Sequence, residues 1–364
     1  MTREELQDCA ANNLHAYRRL ICQWATGVGK SNVAVKFLKM YPNYRTLVCV
    51  PEKDNIRNWK DEFDKFGLLS TSNITITCYA SLHKYENTTW DLVVLDEVPH
   101  TNTELKKSYL STITADYVLA LGAVIANEEL STLFELFGEF KISTVTLENA
   151  IDWGILPEPE IFIVHLQMDD MNKKHFWYGK KLTDKELYDD ITERITGINK
   201  ELDNNFSPSL RSQAMRLGAK RKRILGLFKE SAIKKICMKL NENKRRYLCF
   251  CSSIDQTRRL SKERSYTSRT SKNNDLLNKF NNHEIDSLFV VAKLIEGQNL
   301  RDIDCGIIGQ IGGTSRITVQ QAGRIMRSKK PRIYIPVFDN TKDDSFLYTI
   351  TSNIPDKYIK HYKF

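Results

Sequence analysis

At 364 residues the chain is long enough for two or three domains, each with its own core. With 41% hydrophobic and 27% charged residues its composition excludes wholesale disorder, and its longest apolar run, Val118 to Ala126, is too short to cross a bilayer. The formal charge of +9, concentrated in one stretch, suits a polyphosphate partner.

The first residues, Met1-Thr2-Arg3-Glu4-Glu5, are charged and show no signal-peptide hydrophobic region. From Leu20 to about Pro157 short apolar runs alternate with amphipathic stretches. Strands are expected at 19–24, 46–50, 74–79, 92–95 and 118–121, with helices at 31–40 and 55–66 between them. Buried strands alternating with helices imply a parallel α/β sheet.

Residues of roughly 168–240 read differently. They lack strand patterning and are rich in Lys, Asp and Glu. Leu225, Phe228, Ala232, Ile236 and Leu240 recur every three or four positions, as on one face of a helix. Lys229, Lys235 and Lys239 fall mainly away from that stripe, and Asn204-Asn205-Phe206-Ser207-Pro208 reads as a break. The expectation is a helical insertion near the junction of two lobes. Between Arg211 and Arg246 thirteen Lys or Arg face only Glu230 and Glu242, a local excess of +11 that exceeds that of the whole chain. Lys220, Arg221, Lys222 and Arg223 are its densest part and are candidates for a phosphate-backbone contact.

A second strand series follows at 247–251, 287–291, 305–308 and 332–337. The expected architecture is α/β, with two parallel-sheet lobes: 1–160 binding nucleotide, and 161–364 including the basic insertion of about 168–240. The eight cysteines contain no Cys-x-x-Cys pair, and Cys249 and Cys251 sit in an apolar strand, as in a reducing cytoplasmic protein.

Three segments carry chemistry. The first strand runs into Ala25-Thr26-Gly27-Val28-Gly29-Lys30-Ser31 and an apolar helix, the context of a phosphate loop. Glycines let backbone N–H groups wrap phosphate, Lys30 reaches the outer phosphates of ATP, and Ser31 ligates Mg2+. The strict pattern asks for glycine where Trp24 stands. A buried strand then delivers Asp96 and Glu97 at its carboxyl end, where ligand sites of parallel sheets lie. Asp96 is expected to hold magnesium and Glu97 to orient the attacking water. In the third segment Arg324 and Arg327 stand three residues apart on a helix opened by Gln320, suited to charge on a transferring phosphoryl group.

With these motifs the chain resembles a superfamily 2 helicase of the DExH type, which implies two RecA-like lobes. Val50-Pro51 followed by Trp59 resembles the motif in which a strand end and helix meet the nucleic-acid backbone. Tyr79-Ala80-Ser81-Leu82, Phe250-Cys251-Ser252-Ser253 and Glu296-Gly297-Gln298-Asn299-Leu300 resemble further family motifs. The resemblance implies nucleic-acid contacts at Pro51, Tyr79, Ser81, Ser252 and Asn299, and nucleotide contacts at Gly297 and at Gln7, placed like an adenine-reading glutamine. It makes His100 a link between nucleotide state and the second lobe. Pro99 is an unusual occupant of that box, and Leu121-Gly122-Ala123-Val124 lacks the hydroxyls that help relatives couple hydrolysis to strand separation.

The expected function is ATP-dependent helicase or translocase action on DNA, as a monomer in the cytoplasm, nucleoid-associated or in a host if phage-encoded. An RNA helicase and a nucleic-acid-stimulated ATPase switch without unwinding are the alternatives. A protein partner supplying a wedge is left open, since no zinc module, winged helix or aromatic single-strand platform is legible.

Overall fold

A computed structural model describes residues 1–70, 73–98, 103–205, 207–267, 273–291, 300, 302–311, 325, 328–351 and 354–363. The chain divides into a first unit, Met1–Glu158, and a second formed by the described residues from Pro159 on.

The first unit runs α1 (Arg3–Tyr17), β1 (Arg19–Trp24), α2 (Ser31–Met40), β2 (Thr46–Val50), α3 (Lys53–Lys65), β3 (Ile74–Cys78), β4 (Thr89–Leu95), α4 (Glu104–Leu110), β5 (Thr114–Gly122), α5 (Asn127–Phe137), β6 (Lys141–Val145) and α6 (Leu147–Asp152). Its six strands lie in the order β3-β2-β4-β5-β1-β6, every pair parallel. All of β2 and the last four residues of β4 are buried, which is why they read as unbroken apolar runs rather than alternating ones. The loops after β1 and β4 therefore open on the same, carboxyl edge of the sheet. α1 escapes the apolar-period reading because its buried side is largely small, with Ala10 and Ala11 beside Leu6 and Leu14. Thr2 starts it, accepting from the Glu5 N–H while the Glu5 carboxylate accepts from Thr2 N–H at 2.8 Å.

The second unit runs β7 (Glu160–Leu166), β8 (His175–Trp177), β9 (Lys180–Leu182), α7 (Asp184–Asn204), α8 (Pro208–Phe228), α9 (Glu230–Glu242), β10 (Tyr247–Cys251), α10 (Ile254–Leu260), β11 (Ser265–Tyr266), α11 (Asn273–Asn281), β12 (Ser287–Val291), β13 (Cys305–Ile308), β14 (Arg332–Phe338), a helix Lys342–Thr351 and β15 (Ile359–Lys363). Seven strands form a parallel sheet in the order β11-β12-β10-β13-β14-β7-β15. Cys249 and Cys251 are buried within it. The chain thus holds two parallel sheets flanked by helices, as expected for two RecA-like lobes.

The basic insertion is helical, with α7 packed along α8, and the Ser207 hydroxyl caps α8 with Pro208 in its first turn. Two expectations about it need correcting. The region does contain strands: β8 and β9 pair antiparallel, His175 opposite Leu182 and Trp177 opposite Lys180. Strands of three residues are too short to show alternation, and the Tyr178-Gly179 turn lacks the Asn-Gly signature of a tight hairpin.

Nor is every basic residue of the stretch on the surface. Lys229 is fully buried, its Nζ 2.7 Å from Asp343 Oδ2 and donating to Gln310 Oε1 at 3.2 Å. Gln310 in turn donates to Asp343 Oδ1 at 3.2 Å, closing a three-residue polar network. Arg246 is buried too, donating to the carbonyls of Asp302 at 3.0 Å and Phe280 at 2.6 Å. Among the described residues no helix is long and apolar enough to cross a membrane.

Candidate nucleotide site and nucleic-acid interface

The segment after β1 turns on two glycines in the left-handed region, Gly27 at φ 95° and Gly29 at φ 93°. The Gln7 side chain, from α1, donates to the carbonyls of Val28 at 3.4 Å and Gly29 at 3.1 Å, so α1 braces this loop from behind. A Cβ on Gly29 would stand 2.5 Å from Gln7 Nε2, so a side chain there would displace the glutamine amide, and the φ of 93° favours glycine. Trp24 is accommodated because its ring is buried and its indole donates to Ser143 Oγ at 2.9 Å, leaving its carbonyl to accept from Lys30 Nζ at 3.0 Å. Thr26, Lys30 and Ser31 are half-buried, whereas the Val28 side chain is fully buried and offers only backbone. α2 opens with no side-chain cap and no acid in its first turn, which leaves the positive end of its dipole uncompensated by a local carboxylate.

At the end of β4 the Asp96 N–H donates to Cys49 O at 2.9 Å, and the Tyr79 hydroxyl donates to Asp96 O at 2.8 Å. The Asp96 carboxylate accepts from the indole Nε1 of Trp59 at 2.7 Å. Burial pushes this carboxyl up to about 6, and the neighbouring Glu97 adds to the rise, while the Trp59 hydrogen bond and the charge of Lys30 oppose it. Lys30 and Asp96 therefore sense one another electrostatically. Glu97 itself takes φ 51°, a left-handed conformation rare for a non-glycine residue and often held at functional sites. A buried anion with a second carboxylate beside it suits a divalent cation, with Asp96 and the Ser31 hydroxyl as ligands.

The first unit carries two cavities of note. One of about 520 Å³ lies between α1 and α2, lined by Gln7, Asn32, Lys36 and Phe66 among others. Among the described residues the buried Oδ1 of Asn32 in its wall has no hydrogen-bond partner, an acceptor awaiting a donor. The second, about 470 Å³, is lined by Lys53, Arg57 and Lys60 of α3 together with Ser81 and Lys84. The three α3 cations were not singled out from the sequence. Their signal was there, in basic residues spaced by four and then three on the helix that follows Val50-Pro51.

Several expected nucleic-acid contacts face elsewhere. Tyr79 is buried with its hydroxyl engaged by Asp96, so it supports the strand end instead of offering a surface. Trp59 likewise points inward. The Ser252 N–H and hydroxyl both donate to Gln256 Oε1, at 2.7 and 2.9 Å, and a Cβ on Gly226 of α8 would stand 2.3 Å from that hydroxyl. Ser252 is thus a packing contact for α8. Pro51 is half-buried between β2 and α3, and Ser81 lines the basic cavity. On α8, Lys222 and Arg223 are exposed, Arg221 donates to Thr192 Oγ1 at 3.3 Å, and Lys220 lies over the Trp177 ring. His100, Gly297, Asn299, Gln320, Arg324 and Arg327 lie outside the described residues.

Fold and site together define a class, the two-lobed α/β arrangement found in helicase domains. The helicase domain of Pyrococcus furiosus Hef superposes with a TM-score of 0.55 over 95% of this chain and 97% of its own, at 12% identity. The DNA-bound ATP-dependent Type ISP restriction-modification enzyme LlaBIII gives 0.62 over 100% of this chain and 31% of its own, at 10% identity. In sequence the chain is 24% identical over 371 residues to the DNA 3'-5' translocase XPB2 of Sulfurisphaera tokodaii, covering 89% of this chain and 79% of that protein. No family model matches the chain. The two structural likenesses show the shared fold.

Proposed function

We propose that the chain is an ATP-dependent motor that translocates on DNA, a superfamily 2 member of DExH type using Mg2+. The observation that carries this reading is the buried Asp96, next to Glu97 and within electrostatic reach of Lys30, at the carboxyl edge of a parallel sheet. Lys30 exchanges the Trp24 carbonyl for the outer phosphates, and the N–H groups from Gly27 to Ser31 cradle them. Ser31 and Asp96 hold magnesium, whose charge offsets that of the phosphates. Glu97 orients and polarises the attacking water. Asn32 Oδ1 and Gln7 line the cavity beside the loop and suit the donor edge of adenine. Arg324, Arg327 and Gln320 are the candidates for stabilising charge on the transferred phosphoryl group, with His100 and Gly297 relaying nucleotide state.

The basic cavity of Lys53, Arg57, Lys60 and Lys84, with Ser81, supports a contact with a phosphate backbone, read without regard to sequence. DNA is favoured over RNA because XPB2 is a DNA translocase and LlaBIII is seen bound to DNA. The protein acts as a monomer in this reading.

ATPase rates measured with no polymer, single-stranded DNA, duplex DNA and RNA test it. DNA is expected to stimulate turnover, Lys30→Ala to abolish it, and Arg57→Glu with Lys60→Glu to raise the DNA concentration needed. Equal rates in all four conditions would overturn the motor reading.

A further inference from the structure

We infer that the β8–β9 hairpin of the second unit is a base-stacking contact for an unpaired nucleic-acid strand, with Phe176 as its principal stacking ring. The inference rests on the proposal that the polymer is nucleic acid.

The hairpin has two unlike faces. His175 and Trp177 alternate onto the inner one. His175 Nε2 lies 2.5 Å from Asp184 Oδ1, its ring packs 5.2 Å from that of Phe228, and the Trp177 indole donates to Asp190 Oδ2 at 2.7 Å. These contacts bind the ribbon to α7 and α8, and a two-stranded ribbon needs such support to hold its shape. Phe176 alternates to the other face, paired across the ladder with Lys181.

Phe176 gives the outer face a large apolar ring, while the Tyr178 ring at the turn packs edge-on to Trp177 at 4.6 Å and lies 4.3 Å from the Arg194 guanidinium. Phe176 is 76% exposed, Tyr178 at the turn 69% and Met171 just before the hairpin 82%. A single exposed ring needs no explanation, but three largely exposed side chains of this size within eight residues mark a segment suited to a partner. Tyr178 also sits at φ 44°, followed by Gly179 at φ 78°, in a turn position that Asn or Gly would occupy without strain.

The electrostatics select the occupant. From Met171 to Leu182 the sequence holds four lysines and no acid. Lys173 and Lys174 are paired with carboxylates, to Glu186 at 3.5 Å and Asp184 at 3.0 Å, while Lys180 and Lys181 stand exposed beside the rings. Lys220 of α8 lies 3.4 Å over the Trp177 ring, and the same helix carries exposed Lys222 and Arg223. Exposed rings beside Lys180 and Lys181 complement a chain that alternates phosphates with flat π-faces, the carboxylates of Asp184 and Asp190 being already engaged by Lys174, His175 and Trp177. A duplex hides those faces in its stack, so the complement is an unpaired strand.

The test compares binding of an oligodeoxythymidylate and an abasic oligomer of equal length to the full chain at fixed salt, followed by fluorescence anisotropy. The wild type should prefer the base-bearing oligomer by about ten-fold, the effect of one stacked base. Phe176→Ala should bring the ratio near unity with affinity for the abasic oligomer and melting temperature retained, and Phe176→Trp should restore the preference. Should DNA stimulate ATP turnover while Phe176→Ala leaves the preference intact, the hairpin inference fails alone and the exposed segment is a protein-docking face. A chain that binds neither oligomer and shows no stimulation defeats both the motor reading and this one.

Discussion

The indole of Trp59 donates a 2.7 Å hydrogen bond to the carboxylate of Asp96, joining the middle of α3 to the carboxyl end of β4. α3 also carries Lys53, Arg57 and Lys60 into the basic cavity. One hydrogen bond thus separates a candidate phosphate-binding helix from the candidate metal ligand, and a polymer that shifts α3 can alter Asp96 without touching it.

Trp59→Phe tests that link. The N–H favours the ionised carboxyl, so its loss moves the Asp96 value further above about 6. A hydrogen bond to a charged group contributes about 1.5–3 kcal/mol, so the acid limb of the ATPase pH profile should move up by roughly one pH unit. The magnesium requirement should rise with it. An unmoved acid limb would mean that Asp96 is not the titrating group.

Asp96→Asn probes the same carboxylate through stability. Its folded value of about 6 lies above the ordinary 3.8, so the folded state binds the proton more tightly. The associated stability is full below about pH 4 and is lost as pH rises through 6, a difference on the order of 2–3 kcal/mol for so buried a group. Asparagine keeps an acceptor for Trp59 without the charge. The ligand-free variant should therefore melt higher than wild type at pH 8 and match it near pH 4, by calorimetry. Equal melting at both pH values would contradict the assignment.

The buried pair of Lys229 and Asp343 makes the opposite kind of case. Removing one partner leaves the other charge stranded in the core, so Asp343→Ala should cost about 3–5 kcal/mol in urea unfolding. Lys229→Met combined with Asp343→Leu should recover most of that loss. A mild single variant and a worse double one would show that water reaches the site.

Lys222→Glu with Arg223→Glu addresses the basic helix at two of its exposed positions. For every phosphate no longer neutralised, the slope of log affinity against log salt should shrink by about 0.7–0.9, and affinity should fall across all sequences alike. If affinity and slope both hold, these residues form a solvated face.

Much of this protein was legible in one dimension. β1, α2, β2, β10, β12 and β13 carry strong local patterns, and their observed limits coincide with the apolar runs that announce them. The glycine turn between β1 and α2 and the place of Asp96 and Glu97 at the end of β4 were legible for the same reason, because the elements are consecutive there. Trp59, Lys229, Arg246 and the hairpin were not. Trp59 and Asp96 lie 37 residues apart and Lys229 and Gln310 lie 81 apart, and no local pattern says which way such side chains turn. A lysine off the apolar stripe of a helix reads as solvent-facing until a carboxylate from another element is seen against it.

The sequence by itself determined two parallel α/β units, a glycine turn able to cradle phosphate and a carboxylate pair at a strand end, since each follows from periodicity and local conformation. Only the tertiary structure decided which charges are spent internally and which remain for a partner. It buried Lys229 and Arg246, turned Tyr79 and Trp59 towards Asp96, and left Phe176 and Tyr178 in water. Those outcomes depend on which elements pack together, because a side chain's charge and hydration are set by neighbours distant in the chain.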